Sequence, residues 1–321
     1  MNIARTIALA SALTCVLTGG LAARDAKPKA PKKRTARKAT AVFRPDKQIV
    51  FKTTTNADAS EVKLKLHVFE PAGHKASDKR PAAVFFFGGG WVGGSPGQFY
   101  PHCKYLASRG VWAAAAEYRV QSRNKTTPFQ CVADGKSAVR YVRAHAKRLG
   151  VDPKRIIAGG GSAGGHVAAA TGTIAGLDET SEDKAVSSRP DVMVLFNPVI
   201  DCSPEGTYGY RRVRERWREI CPTHNVTKDT PPTIVLHGTK DTTVKYADAE
   251  RFAKAMKAAG RTCRLVAYEG QGHGFFNYGR GDGSHFLRTV EAADRFLAAL
   301  GYLKGEPTVK QFADEAAKTK P

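Results

Sequence analysis

The chain has 321 residues, of which 42% are hydrophobic and 25% are charged, a composition typical of a globular protein with a sizeable core. Beyond the first residues, no stretch reaches the ~20 apolar residues that a membrane span needs, which excludes a transmembrane helix there. The formal net charge is +22, but no module that reads nucleic-acid bases is recognisable, so no nucleic-acid partner is expected.

The N-terminus has the pattern of a secretory signal peptide. Arg5 precedes a mostly apolar run over residues 6–17, and small residues then lead to a cleavage site after Ala22 or Ala23. We therefore expect residues 1–23 to be a signal peptide, with no transmembrane segment left after its removal. The mature protein is expected to be secreted or periplasmic.

Residues 24–42 form a basic segment rich in proline and alanine. Eight Lys or Arg and one Asp lie between positions 24 and 38. Such a composition cannot bury a core and predicts a disordered linker. Two interpretations stay open: a tether to anionic surfaces through residues 24–40, and a solvated spacer without a partner.

Five cysteines follow the predicted signal peptide, an odd number that leaves at least one unpaired. Export permits disulfides, and Cys202–Cys221 is the pair to test because it would close a loop poor in apolar periodicity. No cysteine shows the spacing of a metal site, so no metal is expected.

The globular pattern starts near residue 43 with two strands of alternating polarity. They are "QIVFK" (48–52) and "VKLKLHVFE" (62–70), and in the second the apolar residues from Val62 to Val68 fall on one face. Alternation of this kind favours an antiparallel edge of a sheet.

Apolar strands and helical segments then alternate up to residue 300. The strand candidates are "AAVFFF" (82–87), "VWAAAAEY" (111–118), "RIIAG" (155–159), "DVMVLFN" (191–197), "TIVLHG" (233–238) and "RLVAYEG" (264–270). The helix candidates cover about 98–108, 130–149, the alanine-rich stretch after Ser162, 245–259 and 284–300. This rhythm predicts an α/β fold, a mostly parallel sheet with helices on both faces.

One segment interrupts the rhythm. Residues 202–230 contain two cysteines and many arginines without clear periodicity, and we expect a small lid-like insertion over one end of the sheet. The domain as a whole is expected to cover residues 43–303. Residues 304–321 have the composition of a polar, peripheral C-terminal tail.

A serine stands among glycines between the strand "RIIAG" and the alanine-rich helix. Gly160 to Gly164 form G-x-S-x-G in the strand–turn–helix context that the motif requires. The turn is so sharp that side chains two positions from Ser162 would collide with neighbouring elements, so glycine stands there. The motif predicts Ser162 as a nucleophile at the sheet edge, with the Ala163 N–H as an oxyanion donor.

A serine hydroxyl needs a base, and the base needs a carboxylate. His273 follows the last strand in a glycine-flanked loop, and Asp241 follows the strand "TIVLHG". The chain order Ser162, Asp241, His273 is that of the α/β-hydrolase fold. Asp201 is the alternative acid, one strand earlier. Packing is the favoured role for three other histidines, His67, His166 and His237.

A second oxyanion donor is expected from the loop after "AAVFFF". The run "GGGW" places Gly89 and Gly90 where their N–H groups can face a carbonyl oxygen, since glycine lets the backbone come close. With this run, four elements stand in the order that acyl transfer needs.

These motifs resemble those of α/β-hydrolase esterases over residues 45–303. "GGGW", "GGSAGGH", "HGTKD" and "GQGHGFF" are most similar to bacterial acetyl-xylan and feruloyl esterase-like members, near the hormone-sensitive-lipase type. The resemblance implies hydrolysis of short acyl esters on carbohydrate, without a cofactor. The chain departs from the family at Phe87, where a histidine often orients the glycine run, and this puts the geometry of the loop in question.

Five aromatic residues could line the alcohol side of the cleft and stack on sugar rings, although packing explains each one equally well: Trp91, Tyr208, Tyr210, Trp217 and Phe275. The stretch "RRVRERWR" (211–218) suggests an acidic or sulfated glycan, and a solvated helix face has the same pattern. Two alternative functions stay open, a peptidase of the same fold and a non-catalytic envelope or glycan-binding protein.

Overall fold

A computed structural model describes residues 43–318. The predicted signal peptide and basic linker lie outside the described residues, as do the last three residues of the chain. The described part is built on one eight-stranded sheet. Its strands are β1 (Lys47–Thr55), β2 (Glu61–Phe69), β3 (Arg80–Phe86), β4 (Trp112–Ala116), β5 (Val151–Gly161), β6 (Val192–Phe196), β7 (Thr233–Gly238) and β8 (Cys263–Tyr268).

The α-helices of the described residues are α1 (Tyr100–Ser108), α2 (Gln121–Asn124), α3 (Pro128–Ala144), α4 (Ala146–Leu149), α5 (Ala163–Thr173), α6 (Tyr210–Val213), α7 (Tyr246–Ala258), α8 (Ser284–Ala299) and α9 (Val309–Lys318). Three 3₁₀ segments cover Pro96–Phe99, Arg214–Glu219 and Pro222–Asn225. The long helices and all the strands match the segments expected from periodicity, apart from α9.

The strand order is β1-β2-β4-β3-β5-β6-β7-β8. β1 pairs antiparallel with β2, and β2 pairs antiparallel with β4, whereas the pairs from β4 to β8 are parallel. The two strands of alternating polarity therefore form the antiparallel edge, as expected. Because β3 and β5 to β8 are parallel, the loops that follow them meet at one edge of the sheet.

Helices cover both faces because the central strands are apolar on both sides. Along β3, Val84 and Phe86 join one core cluster, and Phe85 joins the other. The first cluster includes residues of α3, α5 and α7, and the second includes residues of α1 and α8. The expectation of a mostly parallel sheet between two helical layers is confirmed.

The insertion over residues 202–230 contains α6 and two of the 3₁₀ segments. It has a small apolar cluster of its own, in which Val213, Ile220 and Cys221 pack against Ala170 of α5. Cys202 and Cys221 lie together, since the Cys202 N–H donates to Cys221 Sγ at 3.2 Å, yet both are free thiols in the structure.

The expectation of a peripheral polar tail after residue 303 is wrong. Val309 and Phe312 of α9 pack onto the second core cluster. The Phe312 ring stacks on Phe43 at 5.8 Å and meets Tyr105 edge-on at 5.5 Å. Apolar residues at 309, 312 and 316 already follow the helical repeat, a signal hidden by the surrounding charged residues.

No helix within residues 43–318 combines the length and the apolar character needed to cross a bilayer.

Candidate active site

The serine of the G-x-S-x-G motif occupies a strained turn between β5 and α5. Ser162 has φ +55° and ψ −123°, values that L-residues rarely adopt. A Cβ atom on Gly160 would lie 2.4 Å from the Gly164 oxygen, and one on Gly164 would lie 2.1 Å from the Phe86 oxygen. The two glycines are therefore required because backbone packs directly on backbone, as predicted from the sequence.

A continuous hydrogen-bond chain joins Ser162, His273 and Asp241. His273 Nε2 lies 2.9 Å from Ser162 Oγ, and His273 Nδ1 lies 2.7 Å from Asp241 Oδ2. The structure thus brings together the three side chains expected to form a catalytic triad, although positions 162 and 273 are 111 residues apart in the chain.

Both carboxylate oxygens of Asp241 accept hydrogen bonds. Its Oδ1 accepts the backbone N–H groups of Thr243 at 2.8 Å and Val244 at 2.9 Å. Burial alone would raise the pKa of Asp241, but hydrogen bonds with His237, His273 and the Val244 N–H outweigh burial and hold that pKa well below its usual range. An ionised carboxylate in this place fixes the tautomer of His273, with a proton on Nδ1.

The alternative acid, Asp201, does not contact His273. Arg251 Nε donates to Asp201 Oδ2 at 2.8 Å instead. His67 lies 2.6 Å from the Tyr100 hydroxyl, and His166 Nε2 lies 2.9 Å from the Ile220 oxygen. The three histidines expected to pack make such structural contacts, and His237 contacts the Val244 oxygen at 2.9 Å.

The loop that follows β3, residues 88–91, is the glycine loop, and it passes beside Ser162. A Cβ atom on Gly88 would lie 3.2 Å from the Cβ of Ser162. Gly89 has φ +134° and Gly90 has φ +62°, conformations that leave little alternative to glycine. Within residues 43–318 the N–H groups of Gly89 and Gly90 have no protein acceptor, so both are available to a ligand.

Phe87 takes the place of the family's histidine without loosening the loop. Its ring stacks on Tyr118, with centroids 4.2 Å apart and an angle of 18° between the planes. The Tyr118 hydroxyl donates to the Phe87 carbonyl at 2.5 Å. The start of the glycine loop is therefore held by a buried tyrosine, although phenylalanine stands where the family often has histidine.

A polar bridge that sequence reasoning missed links the glycine loop to the histidine loop. Gln98 Oε1 accepts the Gly88 N–H at 2.6 Å, and Gln98 Nε2 donates to Asn277 Oδ1 at 2.8 Å. Asn277 Nδ2 donates to the Gly274 oxygen at 2.8 Å, and Asn197 Oδ1 accepts the Gly274 N–H at 2.9 Å. No motif in the sequence marks this set of side chains.

Two of the five expected cleft aromatics belong to the core instead. Trp91 is 1% exposed and packs edge-on against His166 at 5.0 Å. Phe275 is 4% exposed and packs on Tyr268 at 4.9 Å. Neither side chain lines an open surface, since Trp91 belongs to the first core cluster and Phe275 to the second.

The other three aromatics, Tyr208, Tyr210 and Trp217, are half-buried in the insertion. The Tyr208 hydroxyl lies over the glycine loop, 2.6 Å from where a Cβ atom on Gly90 would be. Trp217 packs edge-on against His224 at 4.7 Å, with the Arg218 guanidinium 4.3 Å from its ring. Tyr208 is thus the one of the five that the structure places directly over a candidate oxyanion donor.

A cleft of about 780 Å³ lies beside the glycine loop. Gly88 and Gly89 form one wall, Gln98 and Asn277 lie in the lining, and Arg280 contributes an exposed cation. Its size is suited to a small organic ligand.

Comparison with known proteins gives a consistent result. The BD-FAE family model matches residues 66–205, and the dienelactone hydrolase family model matches residues 208–303. The solved structure of Thermogutta terrifontis esterase 2 is 47% identical to this chain, with a TM-score of 0.77, and the match covers 81% of this chain and 96% of that one.

Curated relatives are more distant. Esterase LipC of Mycobacterium tuberculosis is 28% identical over 61% of this chain and 53% of its own length. The acetylxylan esterase of Xylanibacter ruminicola is 26% identical over 68% of this chain and 44% of its own length. The chain spans about half the length of the curated relatives that it matches. On the strength of fold, sequence and structural likeness, the chain belongs to the α/β-hydrolase esterases, a family of carboxylic ester hydrolases.

Proposed function

We propose that the chain is a serine carboxylesterase that cleaves short-chain acyl esters through Ser162, His273 and Asp241. The supporting observation is the hydrogen-bond chain with distances of 2.9 Å and 2.7 Å. A neutral hydroxyl becomes a nucleophile when a base lies within such reach and an ionised carboxylate orients that base. Both conditions are met here.

The proposed reaction proceeds through an acyl-enzyme. Ser162 Oγ attacks the ester carbonyl while His273 Nε2 takes the serine proton, and the oxyanion rests on the N–H groups of Ala163, Gly89 and Gly90. The C–O bond to the alcohol then breaks, and His273 gives its proton to the leaving alcohol. Water, deprotonated by His273, then attacks the acyl carbonyl, the bond to Ser162 Oγ breaks as His273 returns the proton to that oxygen, and the acid is released. All the protein groups in these steps belong to this chain.

We infer a carbohydrate as the alcohol part of the substrate. The similarity to an acetylxylan esterase supports this, as does the position of Tyr208 over the glycine loop. The half-buried rings of Tyr210 and Trp217 extend the aromatic surface of the insertion. Arg216 is paired with Glu219 and stacks on Phe129, so the exposed Arg211 and Arg212 are better candidates to meet an acidic glycan.

We also propose that the enzyme works outside the cytoplasm. The support is the signal-peptide pattern of residues 1–23. The basic stretch over residues 24–40 would then hold the enzyme near an anionic surface, an attraction that salt weakens.

The first test is hydrolysis of p-nitrophenyl acetate by the wild type and by Ser162→Ala. We expect kcat to fall by on the order of 10⁴-fold or more in the variant. Ser181→Ala, a change at an exposed serine, serves as the matched control and should retain full activity. Equal rates for the wild type and Ser162→Ala would refute the proposed nucleophile.

The second test concerns the substrate. Acetylated xylo-oligosaccharides and aminoacyl p-nitroanilides are offered to the same preparation. Release of acetate with negligible cleavage of the anilides supports a carbohydrate esterase, whereas faster cleavage of the anilides would point to a peptidase.

A further inference from the structure

A cluster of metal-ligating side chains lies outside the proposed catalytic site, where the insertion meets the loop after β6. Its members are Asp201, Cys221 and His224. Asp201 and Cys221 are fully buried, and the side chain of His224 is 31% exposed. The proposed hydrolysis uses none of them.

The three donor atoms have the spacing of a tetrahedral metal site. Cys221 Sγ lies 3.5 Å from Asp201 Oδ1 and 3.4 Å from His224 Nδ1, and the oxygen and nitrogen lie 3.9 Å apart. A zinc ion with a thiolate at about 2.3 Å and N or O ligands at about 2.0–2.1 Å separates neighbouring ligand atoms by roughly 3.3–3.6 Å. The two distances from the sulfur already match this range, and the oxygen–nitrogen distance of 3.9 Å would have to shorten by about 0.5 Å to complete one face of such a tetrahedron.

The donors are also held in place by their surroundings. Arg251 Nε donates to Asp201 Oδ2 at 2.8 Å, and Asp201 Oδ1, which also accepts the Ser203 N–H at 3.1 Å, faces the Cys221 sulfur. The Cys202 N–H points at Cys221 Sγ from 3.2 Å, a contact suited to a sulfur that carries negative charge. Trp217 packs against the edge of the His224 ring. Each ligand therefore has a neighbour that fixes its orientation.

We propose that Asp201, Cys221 and His224 bind a divalent ion of the zinc type, with water as the fourth ligand. Water can reach the fourth position past the exposed side of His224. Thiolate, imidazole and carboxylate together are a donor set that zinc accepts. Binding releases one proton from the Cys221 thiol and involves no redox change.

The ion would cross-link the insertion to the loop after β6. Asp201 follows β6, and a few residues earlier the Val199 N–H donates to the Ser162 oxygen at 3.0 Å. Cys221 and His224 belong to the insertion. The metal would thus fasten the insertion to the segment beside the proposed nucleophile, without taking part in ester hydrolysis.

A disulfide between Cys202 and Cys221 is the competing arrangement. It would consume the Cys221 thiolate and leave the Asp201 and His224 donors facing a neutral sulfur. The structure contains both cysteines as free thiols, with the Cys221 sulfur near a carboxylate and an imidazole. These polar neighbours favour the metal.

The test uses the purified chain without a histidine tag. The protein is treated with chelator and a thiol-free reductant, loaded with Zn²⁺ or Co²⁺, and desalted. We expect about one ion per chain, a thiolate-to-cobalt charge-transfer absorption, and a higher Tm with zinc. His224→Ala and Cys221→Ser should lose the retained ion, the absorption and the rise in Tm.

Matched controls are His145→Ala and Cys263→Ser, which should bind metal like the wild type because both positions lie outside the cluster. If Cys221→Ser fails to fold, His224→Ala alone tests metal binding. The His224 side chain is partly exposed, so its removal should leave the fold intact. Metal retention by the wild type no greater than that of His224→Ala would overturn the proposal. A Cys202–Cys221 disulfide in protein purified without reductant would also overturn it.

Discussion

Phe87 and Tyr118 together hold the start of the glycine loop in this chain. The family's histidine often orients the glycine run, whereas here an aromatic stack and one buried hydrogen bond hold it. The Phe87 oxygen would also lie 2.3 Å from a Cβ atom on Gly164, so this carbonyl is enclosed between the loop and the turn. A buried carbonyl needs a donor, and Tyr118 supplies it.

Removing that donor gives a prediction at the level of single residues. Tyr118→Phe keeps the ring but leaves the Phe87 carbonyl without its donor, and we expect a loss of about 1–2 kcal/mol in the free energy of unfolding. Urea unfolding of the variant measures this. Tyr141→Phe, whose hydroxyl meets Arg148 at the surface, is the control and should stay within about 0.5 kcal/mol of the wild type.

At the level of elements, the polar bridge through Gln98 and Asn277 joins the glycine loop to the histidine loop. Its central pair is 179 positions apart in the chain. In the proposed mechanism the two loops face one carbonyl carbon, and these side chains would hold them at a fixed separation. We therefore expect the bridge to contribute to kcat.

Gln98→Ala should lower kcat for p-nitrophenyl acetate by about 10-fold, with a smaller change in KM, because the Gly88 N–H loses its acceptor and the loop shifts. Gln311→Ala, at an exposed position of α9, is the control. If Gln98→Ala and Gln311→Ala have the same kcat, the bridge does not position the oxyanion donors.

The turn between β5 and α5 gives a second prediction for an element. Gly164→Ala should destabilise the protein by about 3 kcal/mol, although alanine is the better helix former, because its Cβ would lie 2.1 Å from the Phe86 oxygen. Gly176→Ala has open space around its Cβ and should be nearly neutral. Destabilisation of the same size in both variants would contradict the steric argument.

For the whole molecule, two buried histidines are expected to lower the free energy of unfolding in mild acid. Burial lowers the pKa of His102 to about 3, and burial likewise lowers the pKa of His166 to about 4 against a smaller opposing effect of the Ile220 carbonyl. His102 lies among phenylalanine rings, including Phe99 at 4.9 Å and Phe286 at 5.0 Å. Both histidines are therefore neutral in the folded protein near neutral pH.

The unfolded chain binds more protons than the folded one below the ordinary histidine pKa of about 6.5. The free energy of unfolding is therefore highest, with respect to these two groups, above that pH. It falls as the pH drops toward 4, and the two histidines together contribute a slope of at most about 2.7 kcal/mol per pH unit. Urea unfolding at a series of pH values measures the slope. His102→Phe should remove about half of it, and an unchanged slope would show that His102 does not contribute.

Much of the site was predictable because local patterns encode it. Ser162, Asp241 and His273 each follow an apolar strand, and parallel strands bring their ends to one edge. The cleft aromatics were predicted less well, since burial of Trp91 depends on how the glycine loop turns and not on the residue type. The helix α9 was missed because charged residues hide its apolar face.

The alternation of strands and helices, the strained serine turn and the order of the proposed triad could all be read from the sequence, because periodicity and glycine requirements act between residues close in the chain. Three features are visible only in the tertiary structure. They are the hydrogen bond from Tyr118 to Phe87, the Gln98–Asn277 bridge, and the cluster of Asp201 with Cys221 and His224. Apart from the neighbours Cys221 and His224, these groups are distant in the chain, and only the packing of the sheet, its helices and the insertion brings them together.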